Sequence, residues 1–288
     1  MSVTKVKFLG KILSSIDRLP PFPMVALKVV QMARDENVSM KEIARVVELD
    51  PSITANVLKW CNSPYFGLTR KITSVQEALV YLGGKNLIEV VLMSSCEPYL
   101  KGKVEGYELD EGELWRHSVG CAILAQLLGR KAGFKDETLL FTGGLLHDIG
   151  KIVLAAFIKD AYLKIKELIA AGKDFLEAER EIVGIDHARL GARIGQKWKF
   201  PEEIINIIAF HHRPEMINKP AVALVHLADA GTLMLGVGAG VDGLAYRASP
   251  KAYRMVGLKE KDLMACMADL WEELDKIEEM IGLKKAEN

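Results

Sequence analysis

The chain has 288 residues, of which 50% are apolar and 26% charged. That is the profile of one large or two smaller packed globular domains, and it excludes a disordered or fibrous chain. Lysine plus arginine and aspartate plus glutamate number 38 each, so no net charge draws the protein to nucleic acid, which is not an expected partner.

No run approaches the ~18 apolar residues that a membrane span needs. The N-terminus, MSVTKVKFLGKILSSIDRLPPFP, has lysines among its apolar positions and lacks the h-region and cleavage site of a signal peptide. Cys61, Cys96, Cys121 and Cys266 are widely spaced with no CxxC, the pattern of reduced core residues. A cytoplasmic protein with no membrane partner is expected.

Residues 5–18 place Val6, Leu9, Ile12, Leu13 and Ile16 near helical spacing. Leu19-Pro20-Pro21-Phe22-Pro23 then forces an extended segment, because proline fixes φ and disfavours helix just before it. Short helices follow. One ends near Asp35. One opens on Ser39 with Glu42, a capping box. One opens on Asp50-Pro51, runs to about Asn62 and is broken by Ser63-Pro64. Ser74 with Glu77 reads as a second capping box. Its helix is ended by Gly83-Gly84, and Leu87 to Met93 begins another. Period-2 alternation flanked by hairpin turns is missing, so few or no strands are expected and the predicted fold is all-α. The charged run Lys101 to Glu113 reads as a boundary between an N-terminal helical subdomain, 1–105, and a second helical subdomain, 106–288. Longer helices are predicted over 112–132, 136–148, 151–171, 174–198, 201–212 and 219–236. A glycine-rich connection, 231–243, leads to an amphipathic helix over 258–285 with Leu263, Met267, Leu270, Leu274, Ile277 and Ile281 on its apolar side.

The six histidines, His117, His147, His187, His211, His212 and His226, all lie in the second part. His147 is joined directly to Asp148 in GGLLHDIGK, so neighbouring backbone atoms offer two unlike ligand side chains. With His117, His187, His211, His212 and Asp229, they form a candidate ligand set on predicted helices between apolar neighbours. Imidazole and carboxylate together suit one or two divalent ions of iron, manganese or zinc, whereas magnesium and calcium sites are normally all oxygen. Taken singly, each histidine is more often a satisfied core residue, and Asp229 a capping or hydrogen-bonding group. Burying them all without a cation would be costly, which favours the joint reading. His226, three residues before Asp229, is left outside as packing or support. Lys151 either reaches an anionic substrate or is a solvated lysine at a helix start. Glu177 and Glu181 either orient ligand histidines or lie on a solvated face. Gly238-Ala-Gly240-Val-Asp-Gly243 matches GxGxxG, but a helix precedes it where a dinucleotide site needs a strand.

These motifs resemble the HDOD family of the HD metal-dependent phosphohydrolase superfamily. The resemblance runs from about Leu19 to about Gly236, through LPPFPMVALKVV, SMKEIARVVELDPSITANVLKWCNSPYFG, ITSVQEALVYLGGKNLIEVVL, LWRHSVGCA, GLLHDIGKIVL, DHARLGARIGQKW and IINIIAFHHRP. It implies an all-α fold and a bacterial regulatory setting. Many members have lost ligand positions and look like non-catalytic scaffolds. Here His117, His147, Asp148, His187, His211, His212 and Asp229 all bear competent residues. The run after the paired histidines, HHRPEMINKPAVALVH, lacks the glycine-tyrosine-proline motif of relatives that cleave cyclic di-GMP. Two functions follow as expectations. One is a signal-transduction module that binds a signalling partner or a nucleotide-like ligand. The other is an active phosphohydrolase on a nucleotide or cyclic nucleotide, with Asp148 as bridging ligand and Lys151 steadying developing charge.

Overall fold

The computed structural model describes residues 3–35, 37–63, 66–240 and 247–280. Among these residues there are helices and one isolated antiparallel bridge, Val104 with Leu109, but no sheet. The chain is all-α.

Five helices precede the charged run: α1 (Val3–Ile16), α2 (Met24–Met32), α3 (Met40–Val47), α4 (Pro51–Cys61) and α5 (Val75–Leu100). Their starts follow from local chemistry. Ser39 and Glu42 form the reciprocal capping box at α3, and Asp50 accepts from the Ser52 and Ile53 amides ahead of Pro51 at α4. The box read at Ser74 is only half present. Ser74 accepts from the Glu77 amide, but the Glu77 carboxylate turns back to the Thr73 amide and hydroxyl. Gly83, at φ 76° and ψ 166°, breaks α5 where the sequence places a helix end.

The second part comprises α6 (Glu113–Lys131), α7 (Glu137–Leu146), α8 (Lys151–Ile158), α9 (Tyr162–Ala170), α10 (Phe175–Val183), α11 (His187–Lys197), α12 (Glu202–Phe210), α13 (Pro220–Met234), α14 (Pro250–Val256) and α15 (Glu260–Met280). Two expected helices are each split. A 3-10 turn, Lys159–Ala161, divides 151–171. Gly184, at φ 91°, ends α10, and Asp186 caps α11 by accepting from the Arg189 amide, which divides 174–198. Both splits were hidden because apolar periodicity continues across them. Pro64, residues 241–246 of the GxGxxG stretch and the tail beyond Met280 lie outside the described residues, as do the side chains of Val6 and Ile277.

One buried apolar cluster runs through both parts of the chain. Phe22, from the proline-rich segment, lies 5.3 Å from Trp198 and 5.0 Å from Phe200 between ring centroids. Trp60 of α4 and Trp115 of α6 meet at 6.0 Å. Two stretches, Val75–Leu100 and Glu137–Ala170, are long and apolar enough to span a membrane by composition alone, contrary to the reading that no run comes close. The first is broken at Gly83, and the apolar window of the second is 89% buried inside the protein, as core helices are.

Candidate metal centre

Close backbone contacts bring the candidate ligands together. A Cβ on Gly144 of α7 would lie 2.7 Å from the Ala122 Cα of α6, so only glycine lets these helices approach this far and set His147 beside His117. The α7 helix stops at Leu146, and His147 and Asp148 sit in the turn that leads to Lys151, the first residue of α8. Gly150 in that turn rests on the His187 carbonyl. Asp186 fixes the start of α11, which makes His187 its first residue. His211 and His212 follow the last turn of α12, where Pro214 opens a separate 3-10 turn. Asp229 lies in the buried α13.

All seven candidates meet. Three groups have ligand atoms mutually within 4.8 Å: Asp148 with His187, His211 and His212; His117 with His147 and Asp148; and His147 with His211 and Asp229. Asp148 is the link between halves of the cluster. Its Oδ2 lies 3.4 Å from His147 Nε2 and 3.7 Å from His117 Nε2, while its Oδ1 lies 3.4 Å from His187 Nε2 and 3.7 Å from His211 Nε2. Asp229 is 3.2 Å from His117 Nε2 through Oδ1 and 3.6 Å from His212 Nδ1 through Oδ2. His226 stays outside, donating from Nδ1 to the His211 carbonyl and accepting the Ser249 amide at Nε2.

The donor set fits a cation. Backbone carbonyls accept from the Nδ1 atoms of three histidines: Val237 from His117, Gly144 from His147 and Ile208 from His211. That places each Nδ1 proton, so in the neutral rings the Nε2 lone pairs face inward. His117 and His147 bring two such atoms within 3.3 Å of each other, an arrangement that needs a proton or a metal to relieve it. Asp148 Oδ1 and His211 Nε2 are buried and have no hydrogen-bond partner, which is costly unless a cation occupies the space between them. Gly238, at φ 62°, packs its Cα against His117, where a Cβ would come within 2.6 Å, and so helps bring the Val237 carbonyl into place.

Of the two readings of Glu177 and Glu181, the solvated face holds and neither orients a ligand histidine. Glu177 forms a capping box with Asp174, and Glu181 pairs with Lys173. The support is Glu179, fully buried, whose carboxylate accepts from His187 Nδ1 at 2.9 Å, from the His187 amide at 3.0 Å and from the Tyr107 hydroxyl. The signal was its register: Leu176, Glu179 and Val183 share one helix stripe, and a carboxylate on an apolar stripe needs a partner. Glu179→Gln is expected to weaken metal affinity about 10–100-fold while keeping the fold, since outer partners set ligand orientation and basicity. Competition against a chelator measures this, and an unchanged affinity would remove Glu179 from the site.

Lys151 is buried rather than solvated. Its Nζ lies 2.6 Å from Asp148 Oδ2 and 5.2 Å from the centre of the Tyr107 ring. Burial alone would raise the Asp148 pKa, but Lys151 and His147 outweigh it and hold the carboxyl well below its ordinary value. Burial alone would lower the His147 pKa, yet the group is held well above the usual histidine value. The Cys121 thiol, itself pushed up by burial, is neutral near pH 7, so Asp148 and Asp229 account for that rise. His211 is pushed down to about 3 by burial and by His147.

In the metal-free protein the neighbouring carboxylates favour the protonated form of His147. Its raised pKa stabilises that form fully below the unfolded value of about 6.5, and the gain is lost as pH rises through the folded value. A metal needs the Nε2 lone pair, so loading Mn2+ at pH 7 is expected to release about one proton from His147. Calorimetry in buffers of different ionisation enthalpy reads that number, and zero release would show that His147 is neutral in the metal-free protein.

The HDOD domain family model matches residues 19–214. An uncharacterized protein of Treponema pallidum (strain Nichols) is 25% identical over 239 residues, 77% of this chain and 44% of its own length. A ribonuclease Y of Aquifex aeolicus (strain VF5) is 32% identical over 114 residues, 40% of this chain and 16% of its own. The chain thus spans less than half the length of these curated relatives. A solved HDOD domain protein of unknown function from Geobacter sulfurreducens has the same fold, with a TM-score of 0.75 at 24% identity over 96% of this chain and 97% of that one. With the family pattern covering most of its length, this chain belongs to the HDOD domain family.

Proposed function

We propose that the chain is a metal-dependent phosphohydrolase within a bacterial regulatory protein, with a nucleotide or cyclic nucleotide as substrate. The observation that carries this reading is the convergence of five histidines and two aspartates, with the Nδ1 atoms of His117, His147 and His211 turned outward to carbonyls and an unpartnered Asp148 oxygen within. One or two ions of iron, manganese or zinc would be held by His117, His147, Asp148, His187, His211, His212 and Asp229. Such an ion lowers the pKa of water and offsets phosphoryl charge. Asp148, with candidate ligands facing each of its two oxygens, would serve both halves of the cluster. Lys151 keeps that carboxylate ionised and supplies a fixed positive charge beside it. The Aquifex relative is a ribonuclease by name, which adds RNA phosphodiesters to the compounds to be tested.

A second reading rests on burial. Apart from His212, no member of the cluster is more than 2% exposed, which suits a module that binds a signalling partner or nucleotide-like ligand around a structural metal. In either case we divide the chain near residue 105, where the Val104–Leu109 bridge and the turn Glu105–Tyr107 interrupt the helices. Four buried free cysteines support a reducing compartment, the cytoplasm. Metal analysis of anaerobically purified protein, followed by a screen against nucleotides, cyclic dinucleotides and a generic phosphodiester, separates the readings. Metal with turnover supports the hydrolase, metal without turnover supports the module, and metal-free protein that takes up none on reconstitution sinks both.

A further inference from the structure

His212, the most exposed of the seven cluster residues, lines a cavity open to solvent. This cavity, of about 200 Å³, lies between α10, α11 and the end of α12. Its walls carry Arg180, Arg189 and Arg213 against one carboxylate, Asp186. That carboxylate is already engaged. It is 2% exposed, accepts from Arg180 Nη1 at 2.7 Å and from the Arg189 amide at 2.8 Å, and lies 3.6 Å from Arg189 Nε. It therefore anchors the guanidinium groups without cancelling all of them. Arg213, at the rim, pairs with Asp174 at 3.1 Å, a half-exposed contact that a stronger anion can displace. Phe210 and Met216 supply an apolar wall.

Three arginines lining one cavity beside an apolar surface suit a phosphate joined to a flat organic group, because arginine matches phosphate oxygens in a planar fork and also stacks on rings. We propose that this cavity is the recess for a small phosphate ester that approaches the metal centre past His212, with Arg189 and Arg213 as its selecting residues. The proposal gives the hydrolase reading a side of approach and a ligand class, and it rests on that reading only for what happens next. Arg180 is the least suitable to vary, since it holds Asp186 and through it the start of α11.

The test is equilibrium binding of AMP, adenosine and inorganic phosphate to the full chain and to the Arg189→Ala/Arg213→Ala double variant, each with and without Mn2+. Metal content and circular dichroism are measured in parallel. Adenosine is expected to bind at least about tenfold more weakly than AMP. The variant is expected to lose at least about tenfold in AMP affinity with metal content and helix content unchanged. Loss of AMP binding in the variant of a protein that holds no metal would still support the recess while removing the hydrolase. The recess is wrong if AMP does not bind, if adenosine or inorganic phosphate binds as tightly as AMP, or if the double variant binds AMP as the parent does.

Discussion

Replacing Gly150 with alanine is expected to destabilise the protein by about 3 kcal/mol or more. Backbone conformation does not require glycine there, because Gly150 sits at φ −65° and ψ −26°, which any residue adopts. Helix propensity would even favour alanine by up to about 1 kcal/mol. Space decides the outcome. A Cβ at Gly150 would come within 1.9 Å of the His187 carbonyl oxygen and 2.8 Å of the Gly191 nitrogen, both backbone atoms that no rotamer change can move. Relief requires α8 and α11 to part, which pulls His187 away from Asp148, so metal binding should fall with stability. For a chain this long, 3 kcal/mol corresponds to a drop in Tm of roughly 6–12 °C. Gly10→Ala is the control. It lies in α1 with nothing within 4 Å of its would-be Cβ, and alanine there should stabilise by about 0.5–1 kcal/mol. If Gly150→Ala melted at or above the parent, the close approach of α8 and α11 would be wrong.

That approach also marks where the sequence stops being informative. The convergence of these seven residues was legible because metal-competent side chains at spaced intervals on apolar segments are rarely brought into a core without reason. The all-α fold was legible from apolar spacing and from caps such as Ser39–Glu42 and Asp50–Pro51. Glu179 was not, because it sits in a run with Glu177, Arg180 and Glu181 that reads as a solvated face until the stripe is traced through Leu176 and Val183. Tyr107 was not, because it reaches Glu179 across 72 residues from a turn taken only as a boundary. The solvated reading of Lys151 failed for a related reason. A lysine at the first position of a helix is ordinarily solvated, and only the tertiary position of Asp148 and the Tyr107 ring buries it. The glycines were visible as letters, but which helix each one admits is a property of packing.

Asp148→Ala is expected to abolish stable metal binding, with an affinity loss beyond the 10–100-fold that follows removal of an outer partner. Asp148 contributes an oxygen toward His117 and His147 and another toward His187 and His211, so its removal affects both parts of the cluster at once. Two effects on stability compete. Deleting a buried carboxylate removes its desolvation cost, while taking away one partner of a buried lysine costs up to about 3–5 kcal/mol. The depressed Asp148 pKa shows that attraction to Lys151 and His147 wins, so the metal-free variant should be less stable than the metal-free parent at neutral pH. A lowered folded pKa gives stability that is present above the unfolded value, near 3.9, and lost as pH falls through the folded one. The two melting curves should therefore differ at pH 7 and converge in acid. Metal adds a separate term: at a concentration 100 times Kd it stabilises the parent by about 2.7 kcal/mol and the variant not at all. Asp148→Asn, which keeps the shape and loses the charge, should behave like the alanine variant in metal content. Full metal content and parental stability in Asp148→Ala would show that the histidine–aspartate pair is not the centre of this site.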